Sequence, residues 1–268
     1  MTADIVGDVG TLLLSVADEV VLPLFGTTGA NAREKKPGDW VTDADLRSEA
    51  ALAQGLTAIL PGSSVVGEEA VHADPGVLER LETAERVWLI DPVDGTANYA
   101  AGREPFAMLV ALVERGLVTH GWIYLPVEGR MFTAQRGSGV QFNGAPLPVR
   151  NPAHTLRGIV PLPALTTDAA ADVERRSSGS AELLPSWWCS GREYPDVLVG
   201  RADFVLFTAS MPWDHAAGSL AIAELGGRAA YLDGTPYTVL DHRRGALLVA
   251  NTPSTWDRVR NHVLVGLA

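Results

Sequence analysis

Two short apolar runs in this chain end on acids. Ser64-Val65-Val66 runs into Gly67-Glu68-Glu69, and Val87-Trp88-Leu89-Ile90 stops at Asp91-Pro92-Val93-Asp94-Gly95-Thr96. Runs of this length, bounded by Gly and Pro, read as strands, so the fold must bring two strand ends and their carboxylates to its edge. Phe106 to Val113 and Leu117 to Leu125 are further apolar segments joined by Glu114-Arg115-Gly116, which predicts a hairpin in an antiparallel sheet. Met131 to Ala134 adds another strand.

Helical spacing precedes this sheet. Ile5, Val9, Leu12, Leu13, Val16 and Val20 fall on one stripe of a helix closed by Pro23 and Gly26. A polar stretch from Gly26 to Gly38 with Arg33, Lys35 and Lys36 reads as a mobile surface loop. Thr42 or Asp43 can cap a second helix, with Leu46, Ala50, Ala53, Leu56 and Ile59 on its apolar face and Pro61-Gly62 as its stop. Past Asn143-Gly144, the prolines at 146, 148 and 152 suggest a boundary, dividing the chain into 1–150 and 151–268. In the second half, strand-like runs (Gly158 to Val160, Phe204 to Leu206, Ala246 to Ala250) alternate with helical patterns around 168–184, 214–225 and 254–266, which implies an α/β layer. Thr166 to Ser180 reads as helix or loop.

The 268 residues are 47% hydrophobic and 20% charged, as in a folded globular protein, and carry a net charge of −11. That balance argues against nucleic acid and anionic membrane as partners, which need clustered cations, but suits divalent cations. No apolar run approaches the roughly 18 residues of a membrane span. The opening segment has no Lys or Arg before Arg33, so a cytoplasmic location is expected. The single cysteine, Cys189, reads as a small buried side chain and asks for no oxidising compartment.

The chemistry concentrates in Gly67-Glu68-Glu69, Asp91 to Thr96, and Trp213-Asp214. Pro92 fixes φ and Gly95 permits a tight turn, so Asp91 and Asp94 can face one space with the Val93 carbonyl between them, an all-oxygen shell suited to Mg²⁺. If Glu68 and Asp214 join them, each like-charged pair repels by roughly 4 kcal/mol at 4 Å and an effective dielectric of about 20, leaving a site that wants metal. Gly95-Thr96-Ala97 lets backbone amides approach an anion, and Asp214 opens a helix that ends at Gly226-Gly227. Metal, anion pocket and the Thr96 hydroxyl together describe hydrolysis of a phosphate ester. Taken singly, each cluster would be an ordinary turn, solvated face or helix cap.

Together, Asp39-Trp40-Val41-Thr42-Asp43-Ala44-Asp45, Gly67-Glu68-Glu69, Trp88 to Tyr99 and Trp213 to Gly218 leading to Gly226-Gly227 resemble the inositol monophosphatase family in order and spacing. The resemblance implies an α+β / α/β fold, a layered αβαβα sandwich of the inositol monophosphatase / fructose-1,6-bisphosphatase type. It also implies a homodimer with Mg²⁺-dependent, lithium-sensitive phosphomonoesterase activity on a small sugar or polyol phosphate. By motif, Glu68, Asp91, Asp94, Asp214 and the Val93 carbonyl would hold two or three Mg²⁺. Glu68 and Thr96 would activate water with Asp45 polarising Thr96, and Asp94, Gly95, Thr96, Ala97 and Asp214 would meet substrate. Lys35 or Lys36 would meet phosphate, balance charge, or lie solvated.

One departure concerns substrate. Inositol-specific members carry a Glu seven residues before the Trp-Asp aspartate, where this chain has Phe207, which cannot accept a hydroxyl hydrogen bond. Fructose 1,6-bisphosphate, histidinol phosphate and a nucleotide 3′-phosphate are the alternatives, with a non-catalytic phosphometabolite-binding protein behind them. A covalent phosphoaspartate route needs Asp-x-Asp-Gly-Thr, whose first position here is Pro92, so water attacks directly. Among the histidines, only His215 stands beside a candidate ligand and could support Asp214. His72, His120, His154, His242 and His262 lack metal-ligand spacing. Trp187, Trp188 and Tyr194 read as packing residues rather than a stacking platform.

Overall fold

A computed structural model describes residues 4–27, 32–36, 38–149, 155–241 and 245–267. Its centre is a seven-stranded sheet in the order Ser64–Gly67, Arg86–Asp94, Ala107–Glu114, Leu117–Leu125, Arg130–Gln135, Gly139–Phe142, Ala145–Pro146. The first pair is parallel and the rest antiparallel. Side chains alternate across a strand, and here both faces are covered. Trp88, Ile90, Met108, Val110 and Leu112 join Val9, Leu13, Leu52 and Leu56 of the Ile5–Val16 and Asp43–Ile59 helices on one face. Val87, Leu89, Leu109, Ala111 and Val113 join Tyr194, Ala217, Leu220, Val205 and Leu247 on the other.

That second face is covered by the helices Ser190–Leu198 and Pro212–Glu224. Beyond them lies a five-stranded sheet ordered Ala181–Leu184, Leu156–Ile159, Phe204–Phe207, Leu247–Ala250, Arg228–Tyr231. Its far side packs Phe204, Leu206 and Leu248 against Val173, Trp256 and Val259 of the Thr167–Ser177 and Pro253–His262 helices. Helix, sheet, helix, sheet, helix is the layering that the family resemblance implied. The expected boundary at 150/151 falls outside the described residues, as does Pro152, and one apolar cluster draws residues from both sides of it.

Several local expectations change. The first helix gives way to a π turn, Ala17–Val21, before Leu22–Leu24. Pro23 has no N–H to donate into the preceding turn, and the Val21 carbonyl accepts the Tyr99 hydroxyl at 2.6 Å. The described part of the Gly26–Gly38 loop forms a strand, Arg33–Lys36, paired antiparallel with Asp39–Val41. The second helix buries only part of the stripe read from sequence: Leu56 is buried and Ala53 and Ile59 pack against the core, but Leu46 and Ala50 are exposed, while Asp45, Ser48, Glu49 and Leu52 are buried. The apolar period there is overruled by polar residues that have partners inside. The 168–184 pattern splits into the Thr167–Ser177 helix and the Ala181–Leu184 strand at Gly179, whose φ is +75°.

The hairpin at Glu114-Arg115-Gly116 holds, and both of its loop residues, Arg115 (φ 51°) and Gly116 (φ 78°), adopt the left-handed conformations that suit the twist of the strands. The strand at Val87 does not stop at Asp91. It continues to Asp94 across a bulge, Asp91 facing Leu109 and Asp94 facing Ala107, so three residues on one strand answer two on its neighbour.

The Pro212–Glu224 helix meets the large sheet at Gly121, where a Cβ would stand 2.8 Å from the Ala217 Cα and 3.2 Å from its carbonyl oxygen. Backbone cannot step aside as a side chain can. Gly121→Ala should therefore lower stability by about 1–3 kcal/mol, read from the urea midpoint at unchanged slope. An unshifted midpoint would show that the helix is not seated on the sheet at this point.

Candidate active site

Thr42 caps the Asp43–Ile59 helix in a capping box: its hydroxyl accepts from the Ala44 amide at 3.2 Å, while Asp45 accepts the Thr42 amide at 2.8 Å and hydroxyl at 2.5 Å. This fixes one oxygen of a fully buried Asp45 and leaves the other facing Thr96, whose hydroxyl stands 3.3 Å from it and 2.9 Å from the Val93 carbonyl. Burial raises the Asp45 pKa to about 6, against the pull of its Thr42 hydrogen bonds. Gly95, at φ +83°, turns the chain into the short Thr96–Ala100 helix; a Cβ there would crowd the Pro105 carbonyl and Cys189.

The bulge lets Asp91 and Asp94, three apart, lie on one side of the strand end. Asp91 is buried, and its Oδ1 finds no hydrogen-bond donor. Burial, then the charges of Glu68, Asp94 and Asp214, push its pKa well up. Asp214, in the first turn of the Pro212–Glu224 helix, is raised by burial and by Asp94 and Glu68, and shares a hydrogen bond with Asp91. Asp94 is held from the far side: its Oδ2 accepts the Gly191 amide at 2.6 Å and the Cys189 thiol at 3.0 Å. Burial keeps Cys189 protonated, so it donates.

Glu68 opens the Glu68–Ala73 helix, and burial lifts its pKa to about 8. Lys35 places its ammonium 2.8 Å from Glu68, 2.9 Å from Glu69 and 3.3 Å from Asp39. Its side chain is only 4% exposed, and although burial pulls its pKa down, the two glutamates outweigh that and keep it charged. The expectation of a solvated basic loop is corrected for Lys35, which balances buried charge. Lys36 is the exposed one, pairing with Asp39 at 3.1 Å.

Three further residues were not read as functional from the sequence. Glu49 accepts the Glu69 and Ala70 amides at 2.8 and 2.9 Å and so fixes the helix that carries Glu68. A Cβ on Gly67 would overlap its carboxylate. The signal was present as Asp45 and Glu49, two acids four apart on one helical face. Cys189 and Gly191, which hold Asp94, gave no such signal. His215 does not support the Asp214 carboxylate; it is buried, neutral by burial with a pKa lowered to about 4, and bonded to the Ala209 carbonyl and Tyr194 hydroxyl. His154 and His242 lie outside the described residues. Phe207 is buried, stacked 5.1 Å from Tyr194 and 4.6 Å from His215, so it belongs to the core under the site.

Trp187 and Trp188 do not pack as expected, being 42% and 54% exposed. Trp188 also has φ +54°, a left-handed conformation that costs a bulky residue about 1–2 kcal/mol.

Among the described residues no three acidic, thiol or imidazole groups stand ready as a closed metal cluster. Local partners hold them instead, Lys35 on Glu68 and the Cys189–Gly191 turn on Asp94. The donor chemistry nevertheless fits a hard divalent cation: every donor is oxygen, the carboxylates raise one another's pKa, and the buried Asp91 oxygen has no other partner.

A sequence model described as the inositol monophosphatase family matches residues 7–264. The chain belongs to the inositol monophosphatase family. It is 28% identical over 234 residues to an inositol-1-monophosphatase of Bacillus subtilis, covering 82% of both chains. It is also 29% identical over 251 residues to a histidinol-phosphatase of Chlorobaculum parvum, covering 89% of this chain and 93% of the relative. The fold matches a crystal structure of the extragenic suppressor protein suhB of Bartonella henselae, with a TM-score of 0.81, 23% identity, and 98% and 99% of the two chains covered. The family is one of phosphatases, generally metal-dependent.

Carboxylates whose pKa is raised on folding bind protons more tightly folded than unfolded. Stability from that source is complete at low pH and is lost as pH rises through about 6 for Asp45 and about 8 for Glu68. Without divalent cation, the thermal midpoint should fall between pH 5 and pH 8. Mg²⁺ should restore it more at pH 8 than at pH 5, where protons compete, by about 2.7 kcal/mol at a hundredfold excess over Kd. A midpoint indifferent to Mg²⁺ at pH 8 would remove the basis for a cation site.

Proposed function

We propose that the protein is a Mg²⁺-dependent phosphomonoesterase that hydrolyses a small phosphorylated alcohol by direct attack of water. The observation that carries this reading is the Asp45–Thr96–Val93 hydrogen-bonded chain together with a buried Asp91 whose Oδ1 has no hydrogen-bond partner. Glu68, Asp91, Asp94, Asp214 and the Val93 carbonyl would hold the ions, two or three by the family resemblance. A bound divalent cation would neutralise phosphoryl oxygens, acidify a water and stabilise the leaving oxygen.

The chain's own residues would do the rest. Above about pH 6 Asp45 is ionised and accepts a hydrogen bond from the Thr96 hydroxyl, leaving that oxygen's lone pairs to accept from the attacking water. Glu68 would accept the proton that this water gives up, with Lys35 holding the carboxylate in place. Asp94 and Asp214 flank the substrate, and the first-turn amides of Thr96 and Ala97 after Gly95 are donors without intrahelical acceptors, suited to a phosphoryl oxygen. Phe207 offers no hydroxyl acceptor and lies in the core, which weakens the sugar or polyol reading and keeps histidinol phosphate, a nucleotide phosphate and fructose 1,6-bisphosphate as competitors. Homodimerisation and inhibition by Li⁺ belong to the same proposal.

Phosphate release from a panel of phosphometabolites should require Mg²⁺. Asp94→Asn should remove it while leaving the circular dichroism spectrum unchanged, and full activity in that variant would refute the ligand assignment. Thr96→Ala should lower kcat by about 10²–10⁴, the usual contribution of proton transfer by a positioned group. In ¹⁸O-water a single turnover should label the phosphate and leave no acid-stable phosphoenzyme; a trapped phosphoenzyme would exclude direct attack.

A further inference from the structure

Trp188 adjoins the residues that hold Asp94. The next residue, Cys189, puts its thiol 3.0 Å from Asp94, and Ser190 donates to the Asp214 carbonyl at 3.0 Å. Consecutive Cα atoms are about 3.8 Å apart, so the Trp188 indole starts within one residue of the group that touches Asp94.

The segment is rigidly built around it. Buried Glu193 accepts the Ser186 hydroxyl at 2.6 Å and the Trp187 amide at 2.8 Å, and the Trp188 amide donates to that same Ser186 hydroxyl at 3.0 Å. Asn98, from the Thr96–Ala100 helix, donates to the Trp187 carbonyl at 2.9 Å. Trp187 is spent on structure, its indole N–H donating to Asp196 at 3.1 Å and its ring lying under Arg192. Trp188 has none of this. The residue is 54% exposed, and its ring meets no other ring and no hydrogen-bond acceptor among the described residues. The fold thus clamps both neighbours, holds Trp188 in the left-handed region, and leaves it more than half exposed. A large apolar ring held strained and exposed beside a reactive site marks a surface meant to be covered by ligand.

We propose that Trp188 is a specificity-determining residue, a stacking wall for the alcohol part of the substrate, and that this alcohol carries an aromatic ring. The proposal rests on the phosphomonoesterase reading and deepens it. Stacking would act on the half of the substrate remote from the phosphate, through the faces of two rings, and needs no hydrogen-bond acceptor from the protein.

The test compares kcat/KM, with Mg²⁺, for phenyl phosphate and a nucleoside monophosphate against glycerol 2-phosphate and myo-inositol 1-phosphate. Trp188→Gly removes the ring and relieves the left-handed strain, so its melting temperature should not fall. Trp188→Phe keeps an aromatic face. In Trp188→Gly the preference for aromatic over non-aromatic esters should drop about tenfold, through KM rather than kcat, and Trp188→Phe should retain it within about threefold. Calorimetry with phenylphosphonate and methylphosphonate, which are not hydrolysed, should show the same loss for the aromatic ligand. An unchanged preference, or an inositol phosphate response as large as that of the aromatic esters, would overturn the aromatic assignment. So would a Trp188→Gly effect confined to oligomeric state. No turnover of any ester by the unaltered protein would overturn the phosphatase reading, and this one with it.

Discussion

Buried carboxylates that repel one another are what this fold is built to hold. Asp91 and Asp94 come from a strand, Asp214 and Glu68 from the first turns of two helices; Glu68, Asp94 and Asp214 raise the proton affinity of Asp91, and Asp94 and Glu68 that of Asp214. At an effective dielectric near 20, a pair 4 Å apart opposes folding by about 4 kcal/mol, comparable to the net stability of a whole domain. Lys35 offsets part of this from within the chain, and protons or a divalent cation supply the remainder. On the proposed reading, a preference for a hard cation would follow from how the chain folds, before any substrate arrives.

The rest of the architecture keeps those groups from drifting apart. The strand that delivers Asp91 and Asp94 is buried on both faces, and a bulge turns its two carboxylates to one side. The helix that delivers Asp214 is seated on the same sheet through a glycine-to-alanine backbone contact. Glu49 fixes the helix that delivers Glu68, and the Cys189–Gly191 turn fixes Asp94. Most of these supporting residues lie far from their partners in sequence.

That distance explains what the sequence made legible. Thr42 with Asp45, the Arg115-Gly116 turn, and the strands ending in acids are local patterns, and local patterns survive without a fold. The αβαβα layering was reached through the family motifs. The apolar stripe through Leu46 and Ala50 misled because the helix turns Asp45 and Glu49 inward, where Thr96 and the Glu69 amide wait. Lys35 looked like a solvated cation because its two buried glutamate partners are more than thirty positions away. Trp187 and Trp188 looked like packing because exposure is a tertiary property; Cys189 gave no sign that it would reach Asp94.

The most direct measurement is anomalous diffraction from crystals of the protein soaked in Mn²⁺. The strongest peak should lie about 2.0–2.6 Å from oxygens of at least two among Asp91, Asp94, Asp214 and Glu68, the range of hard-cation bonds to oxygen. Manganese bound only elsewhere on this acidic surface, with those carboxylates keeping only their protein partners, would contradict the claim that they form a cation site.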